Sequence, residues 1–423
     1  MIVFLEKVRV RTAFSVLEPI VTEPLELMYL EAILSEEGIL SYLIDTKFKK
    51  EPPKGVVPDL IVLNGYNVSE SQMISQSRYY KKTYPFTKVM VSGVHAQVNR
   101  KTFRVEGIDY VFFSQSLETF RRFIKGDTLQ KGWDAYQPFE RKWRLGDEDR
   151  LFKNENIEPE RRFFYEIKSK TRYIDKKEVA IVKGGHGCPF ECVFCYCRLL
   201  NDGVYIKPDY DRLMSQIRQI DTHFIWLVDD SFFITSEDAL LFIEKIKQYE
   251  IKKSFIMYTR ADFIIMNQDL LVALKDCGVD EVIVGFETPD GKTLERYKKG
   301  LNEKVNEKAV EITKKARIDL TALFIVDPDY QIKDFIKLSH YIKALDLSVY
   351  TLSIMTPLRG TEDYEKKKHL LTETDSRYFD FLHLVLPSKL PKMIFYLLFY
   401  TSHIRLLKSK RIRKMLRGIF WEK

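Results

Sequence analysis

The stretch Val179-Ala180-Ile181-Val182-Lys183-Gly184-Gly185-His186-Gly187-Cys188-Pro189-Phe190-Glu191-Cys192-Val193-Phe194-Cys195 sets the reading of the whole chain. Its opening apolar run reads as a buried strand over Val179–Lys183. Three glycines follow, and without a Cβ they let the backbone turn tightly around a bulky group. Cys188, Cys192 and Cys195 then form a CxxxCxxC array on that loop. Thiolates are the usual ligands of iron–sulfur clusters, and a cubane takes four. Three thiolates leave one iron open, where a substrate or cofactor can bind. The competing ion is zinc, with Cys197 or His186 as its fourth ligand. Zinc knuckles rarely sit on the first loop of a long βα series, which favours the cluster. Cys197 reads as a bystander and Cys277 as a core thiol.

Downstream, strands are predicted at Phe224–Asp229, Phe255–Thr259, Glu281–Phe286, Leu320–Val326 and Val349–Ile354. Helical patterns fall between them at Ser236–Tyr249, Asn267–Asp276 and Val305–Arg317. With Val179–Lys183 this makes six βα units, too few for a closed eight-stranded barrel but suited to a partial one with its chemistry at the strand C-termini. Charged groups recur at those ends: Asp229 and Asp230, then Arg260, then Glu287. Each alone could be a helix cap or a surface ion pair. Their recurrence at successive strand ends favours a site.

Upstream, the first ~125 residues alternate strands and helices in the pattern of a parallel sheet. Strands are expected at Ile2–Val10, Leu40–Ile44, Leu60–Leu63, Val89–Ser92 and Tyr110–Phe113. Helices are expected at Pro24–Glu37, Glu70–Tyr84 and Ser116–Lys125. No GxGxxG opens the first helix, so a dinucleotide fold is not indicated. Lys131 to Lys177 is charged, aromatic and weakly periodic, and reads as a linker. The domain boundaries expected are 1–130, 131–177, 178–365 and 366–423.

Composition bounds the function. The chain has 423 residues, 29 Phe, 23 Tyr and a net charge of +8, which excludes collagen-like and disordered classes. From Lys389 to Lys423 ten residues are basic and one is acidic, so the positive charge belongs to the tail. Pro391 to Trp421 alternates apolar and basic residues at roughly helical spacing, a pattern suited to an anionic membrane surface or to a helix packed on the core. No RNA-binding module is visible, which makes nucleic acid the weaker partner. The apolar run Met393–Ile404 falls short of the ~20 residues that span a bilayer. No secretory signal is read at the N-terminus, and an odd set of five cysteines, four of them between Cys188 and Cys197 and the fifth at Cys277, indicates a metal site in a reducing compartment. A cytoplasmic protein, or one peripheral to the inner face of the membrane, is expected.

The array Cys188, Cys192 and Cys195, with Phe194 before the third cysteine, resembles the radical S-adenosylmethionine superfamily. The resemblance implies that the open iron chelates S-adenosylmethionine, which an external electron donor of flavodoxin or ferredoxin type cleaves to a 5′-deoxyadenosyl radical. It places Phe194, Asp229, Asp230, Arg260 and Glu287 around that cofactor. Phe324-Ile325-Val326-Asp327-Pro328-Asp329 departs from the glycine-rich fifth strand end of many relatives.

Pro24-Leu25-Glu26-Leu27, Pro58-Asp59-Leu60-Ile61 and Val91-Ser92-Gly93-Val94-His95-Ala96 resemble the cobalamin-binding domain that precedes many such cores. The fold implied is α/β: an N-terminal Rossmann-like parallel sheet of cobalamin-binding type, a partial (β/α)6 TIM-like barrel, and a C-terminal helical segment. The corrinoid would lie on the sheet edge formed by Gly65, Ser92, Gly93, His95 and Ser114. There is no DxHxxG, and Phe113-Ser114-Gln115-Ser116 stands where relatives carry a glycine-and-glutamate turn. His95 as a cobalt ligand competes with a backbone hydrogen-bonding role. No cysteine precedes Cys188, which argues against a methylthiotransferase. The function implied is modification of an unactivated carbon of a small-molecule, lipid or natural-product substrate, methyl transfer first. Alternatives are a cyclase or rearrangement enzyme without cobalamin, or a non-catalytic corrinoid- or metal-binding regulator.

Overall fold

The computed structural model describes residues 1–10, 18–149, 152 and 156–420. Trp421, the last residue of the basic pattern, lies outside them.

Five short apolar runs form a parallel sheet: β1 Ile2–Lys7, β2 Leu40–Ile44, β3 Leu60–Asn64, β4 Lys88–Ser92 and β5 Tyr110–Phe112. The order is β2-β1-β3-β4-β5. Every residue of β3 is buried, as befits a central strand covered on both faces. Alternate residues serve the two faces. Val3, Leu5, Leu60 and Val62 pack on the helix Leu25–Glu36, whereas Phe4, Ile61 and Leu63 pack against Met73 and Tyr80 of the helix Glu70–Thr83.

The 131–177 stretch, expected to be a linker, adds two strands to this sheet. β6 Trp133–Gln137 and β7 Lys142–Arg144 extend it antiparallel beyond β5. Trp133 and Ala135 are buried, but Lys142 and Arg144 face solvent. An edge hairpin of that composition carries little periodicity, which is why it reads as a linker. A helix follows at Arg162–Ile167, and a two-residue strand at 172–173 pairs with 176–177 on one side and 20–21 on the other.

The second sheet has six parallel strands in sequential order: β8 Val179–Val182, β9 Phe224–Leu227, β10 Ser254–Thr259, β11 Val279–Glu287, β12 Asp319–Val326 and β13 Val349–Ile354. This is the expected partial barrel. Its inner floor is Ile181, Trp226, Ile256, Ile283 and Val349, sealed by Met415 of the C-terminal helix Lys410–Phe420. Arg411 fixes that helix through Glu281 at 2.7 Å, Asp175 at 2.8 Å and Asp319 at 3.3 Å. The end of the basic tail is therefore a barrel plug, and no helix among the described residues is long and apolar enough to cross a membrane.

Candidate cofactor site between the sheet edge and the barrel mouth

The cysteine loop is held from below. Asp229, just past β9, is 2% exposed and accepts the Gly184 N–H at 3.0 Å and the Gly185 N–H. Burial lifts its carboxyl to about 6, against those N–H groups and Lys183. Asp229 is thus spent on the loop itself. At Gly187 (φ +74°) a Cβ would overlap the Val204 carbonyl, so this turn requires glycine. The main chain of His186 pairs both ways with Ile206, at 3.0 and 2.9 Å. Farther along, Val193 donates to the Tyr297 carbonyl and accepts from the Asp363 N–H, and Phe194 meets the edge of Tyr297 at 5.1 Å. The loop is pinned across the top of the barrel.

Cys192 is buried, and Cys188 and Cys195 are half-buried. Burial pushes the Cys188 thiol up to about 11. Among the described residues no three His, Cys, Asp or Glu side chains converge on one single-ion position.

The other charged strand ends gather beside the loop. Glu287 adopts φ +59° and accepts from Lys299 Nζ at 2.7 Å. Burial works to lower the Lys299 ammonium, but Glu287 and Cys192 hold it above its usual value. Arg260 stacks over Phe190 of the cysteine loop at 3.8 Å and forks onto Asp262, with a further bond to the Lys299 carbonyl at 2.9 Å. Asp230 keeps one buried carboxylate oxygen without a partner. Lys183, at the end of β8, has Asp230 and Asp229 as its acidic neighbours. Lys183, Lys299 and Phe190 were not singled out from the sequence. The recurrence rule that found Asp229 would have reached Lys183, the first residue after an apolar strand.

The first sheet turns its strand C-termini toward this loop. Its order reverses between β1 and β3, the switch point where open α/β sheets bind ligands. A cleft of about 1170 Å³, measured to its open mouth, joins the two halves. Ser92, Gly93 and Ser114 line it from the sheet, and Lys183, His186 and Arg212 line it from the barrel. Four buried polar atoms in this lining have no partner: Ser92 Oγ, Gln97 Oε1, Gln115 Nε2 and His186 Nδ1. Native interiors leave few such groups unpaired. A ligand rimmed with amides, as a corrinoid is, would satisfy them.

Two expected cleft residues lie elsewhere. Gly65 faces the following helix, where a Cβ would come within 2.8 Å of Ser69 Cβ. His95 is fully buried, with Nε2 2.6 Å from Glu70 and Nδ1 3.3 Å from the Tyr196 hydroxyl. Arg359 closes on the same Glu70 at 2.8 Å. Both ring nitrogens are committed, so the side chain serves the domain boundary rather than the cleft.

Residues 182–342 match the Radical SAM superfamily model. The chain thus carries a radical SAM domain. Its cofactors there are a [4Fe–4S] cluster and S-adenosylmethionine, and the donor set described above fits both. The chain is 29% identical over 217 residues to the hopanoid C-3 methylase of Methylococcus capsulatus, covering 51% of this chain and 42% of that protein. It is 25% identical over 236 residues to the bacteriochlorophyllide d C-8(2)-methyltransferase of Chlorobaculum tepidum, covering 52% of each. The chain spans about half the length of these curated relatives. In fold it is similar to the cobalamin-dependent radical enzyme OxsB (TM-score 0.68, 14% identity, 92% of this chain and 64% of that one). It is likewise similar to the radical methyltransferase TsrM of Kitasatospora setae (TM-score 0.65, 16% identity, 88% and 76%). Both likenesses cover the sheet domain as well as the barrel.

Proposed function

We propose that this chain is a cobalamin-dependent radical enzyme that transfers a methyl group to an unactivated carbon of an apolar small molecule. The observation that carries the reading is the continuous cleft whose unpartnered polar rim joins the first sheet's strand ends to the cysteine loop. The names of the similar methylases support it.

Cys188, Cys192 and Cys195 would hold the cluster, with Phe194 fixing the loop against Tyr297. When bound, cluster and S-adenosylmethionine supply a 5′-deoxyadenosyl radical, and cobalamin supplies a methyl carrier. Asp229 positions the glycine loop. Asp230, with its free acceptor, suits the ammonium of S-adenosylmethionine, whereas Glu287, set by Lys299, suits its ribose hydroxyls. Arg260 holds Phe190 and reaches a carboxylate only by exchanging its bond to Asp262. Ser92, Gln97, Gln115 and Ser114 would meet the corrinoid amides, and Gly93 keeps the backbone close. Below the mouth, the partly buried Val228, Tyr258 and Leu323 stand over the apolar floor. Such a lining accepts hydrocarbon and excludes water from a radical. An external electron donor of flavodoxin or ferredoxin type is required, and cytoplasm supplies the reducing conditions.

Reconstituted enzyme given S-adenosylmethionine deuterated in its methyl group, a reductant, hydroxocobalamin and a total lipid extract tests this. Label entering an apolar product only when cobalamin is present is the expected result. 5′-Deoxyadenosine formed with no label transferred, with or without cobalamin, would move the assignment to cyclisation or rearrangement.

A further inference from the structure

We propose that the segment 392–408 is a docking surface for an anionic lipid bilayer. The helix Lys392–Thr401 buries Phe395 and Phe399, with Phe395 against Phe335 of the helix Ile332–Leu345 at 5.4 Å. Its other side leaves Met393 82%, Leu397 62% and Tyr400 38% exposed, and beyond the helix end Ile404 and Leu407 follow at 57% and 54%. Single exposed apolar residues are ordinary, but a row recurring every three or four residues is a patch.

The segment itself carries charge of one sign, with the exposed carboxylates of Asp329 and Asp346 at its edges. No acidic residue occurs from 381 to 420. Lys389 and Arg405 make only long pairs, at 3.5 and 3.8 Å, and the exposed Lys392, Lys408 and Lys410 show no ion pair among the described residues. Apolar side chains inside a basic rim match an interfacial element, which inserts its hydrocarbon between acyl chains while cations meet anionic headgroups. A second copy of the chain would bring the same positive rim against itself. Nucleic acid would leave Met393, Leu397 and Leu407 without partners.

The surface is also firmly mounted. Tyr350 donates to the Ser402 carbonyl at 2.7 Å, and the Arg411 ion pairs and buried Met415 hold the chain just beyond. On its N-terminal side the Lys389 N–H donates at 3.2 Å to Pro328, two residues past the end of β12. The patch therefore begins beside the barrel mouth, which is where a lipid-phase substrate would enter. Only that last consequence rests on the proposed chemistry, because vesicle binding needs no turnover.

Sedimentation of the full chain with vesicles of phosphatidylglycerol and phosphatidylcholine, against phosphatidylcholine alone, tests the surface. Binding should need phosphatidylglycerol and weaken at high salt. It should fall roughly fivefold for each basic residue neutralised in Lys392→Gln and Lys408→Gln. The double variant Met393→Glu/Leu397→Glu, at exposed positions, should lose about tenfold or more with unchanged thermal unfolding. No binding to either vesicle, equal binding to both, or binding indifferent to these variants would overturn the proposal. So would a dimer dissociated by Met393→Glu/Leu397→Glu, or single-stranded RNA binding without vesicle binding.

Discussion

The hydroxyl of Tyr196 donates to the carbonyl of Val94 at 3.1 Å, joining the residue after Cys195 to the loop after β4. The cysteine loop and the sheet edge are thereby held in one register, and the His95–Glu70–Arg359 cluster surrounds the contact. Burial works to raise the Glu70 carboxyl, but the hydrogen bond and charge of His95, with Arg359, outweigh it and hold it below its usual value.

Removing parts of this clasp should loosen the domain boundary in proportion. Tyr196→Phe loses one hydrogen bond, about 1 kcal/mol, and Glu70→Gln removes the carboxylate shared by His95 and the Arg359 guanidinium, at roughly 3 kcal/mol. Because the Glu70 value is depressed, its contribution should be present above pH ~4.5 and fade below it. Urea unfolding of both variants between pH 4 and 7 reads this directly. Equal stability of Glu70→Gln and wild type would refute the clasp.

Replacing Cys188, Cys192 or Cys195 singly with Ala should abolish reconstituted cluster and 5′-deoxyadenosine formation. Cys197→Ala and Cys277→Ala should keep both. Iron and sulfide analysis beside the cleavage assay separates the two sets.

Asp229 and Asp230 are adjacent but should fail differently. Asp229→Ala removes the acceptor of two glycine N–H groups, so iron content should drop. Asp230→Asn and Glu287→Gln should leave the cluster intact and weaken S-adenosylmethionine binding by ~1.5–3 kcal/mol. Identical phenotypes for Asp229→Ala and Asp230→Asn would remove the distinction.

Glu23 gives the chain a second pH dependence. It is fully buried, accepts from the Ile181 N–H at 2.9 Å and pairs with Arg161 at 3.1 Å. Burial nevertheless lifts its carboxyl to about 7. The folded value is raised, so the stability it contributes is complete below the unfolded value of ~4.5 and is lost as pH rises through 7, by at most about 3 kcal/mol. Unfolding free energies from pH 5 to 8 should flatten in Glu23→Gln. A slope unchanged by the substitution would contradict the assignment.

Strands β1–β5 and β8–β13 were legible because each is an apolar run with little beside it to compete. The cysteines were legible because their spacing carries the chemistry. The contacts of Tyr196, Arg359 and Lys299 were not, since their partners lie on other elements and local spacing encodes nothing about them. His95 and Gly65 were placed on the correct loops, but which way each side chain turns depends on the helix Glu70–Thr83 packed behind them. The hairpin of β6 and β7 escaped because its outer strand is charged and exposed.

A corrinoid held in the cleft behind the cysteine loop is tested most directly by its stoichiometry on purified protein. Gly93 sits at φ +97°, and a Cβ there would lie 2.7 Å from Asn64 Nδ2 and 3.1 Å from the Gly65 carbonyl. Protein reconstituted anaerobically with hydroxocobalamin should retain close to one corrinoid per chain by visible spectrum. Gly93→Val should retain little, and His95→Ala should retain it fully because both His95 ring nitrogens face Glu70 and Tyr196 rather than the cleft. Wild-type protein that retains no corrinoid, and cleaves S-adenosylmethionine equally well without it, would contradict the account.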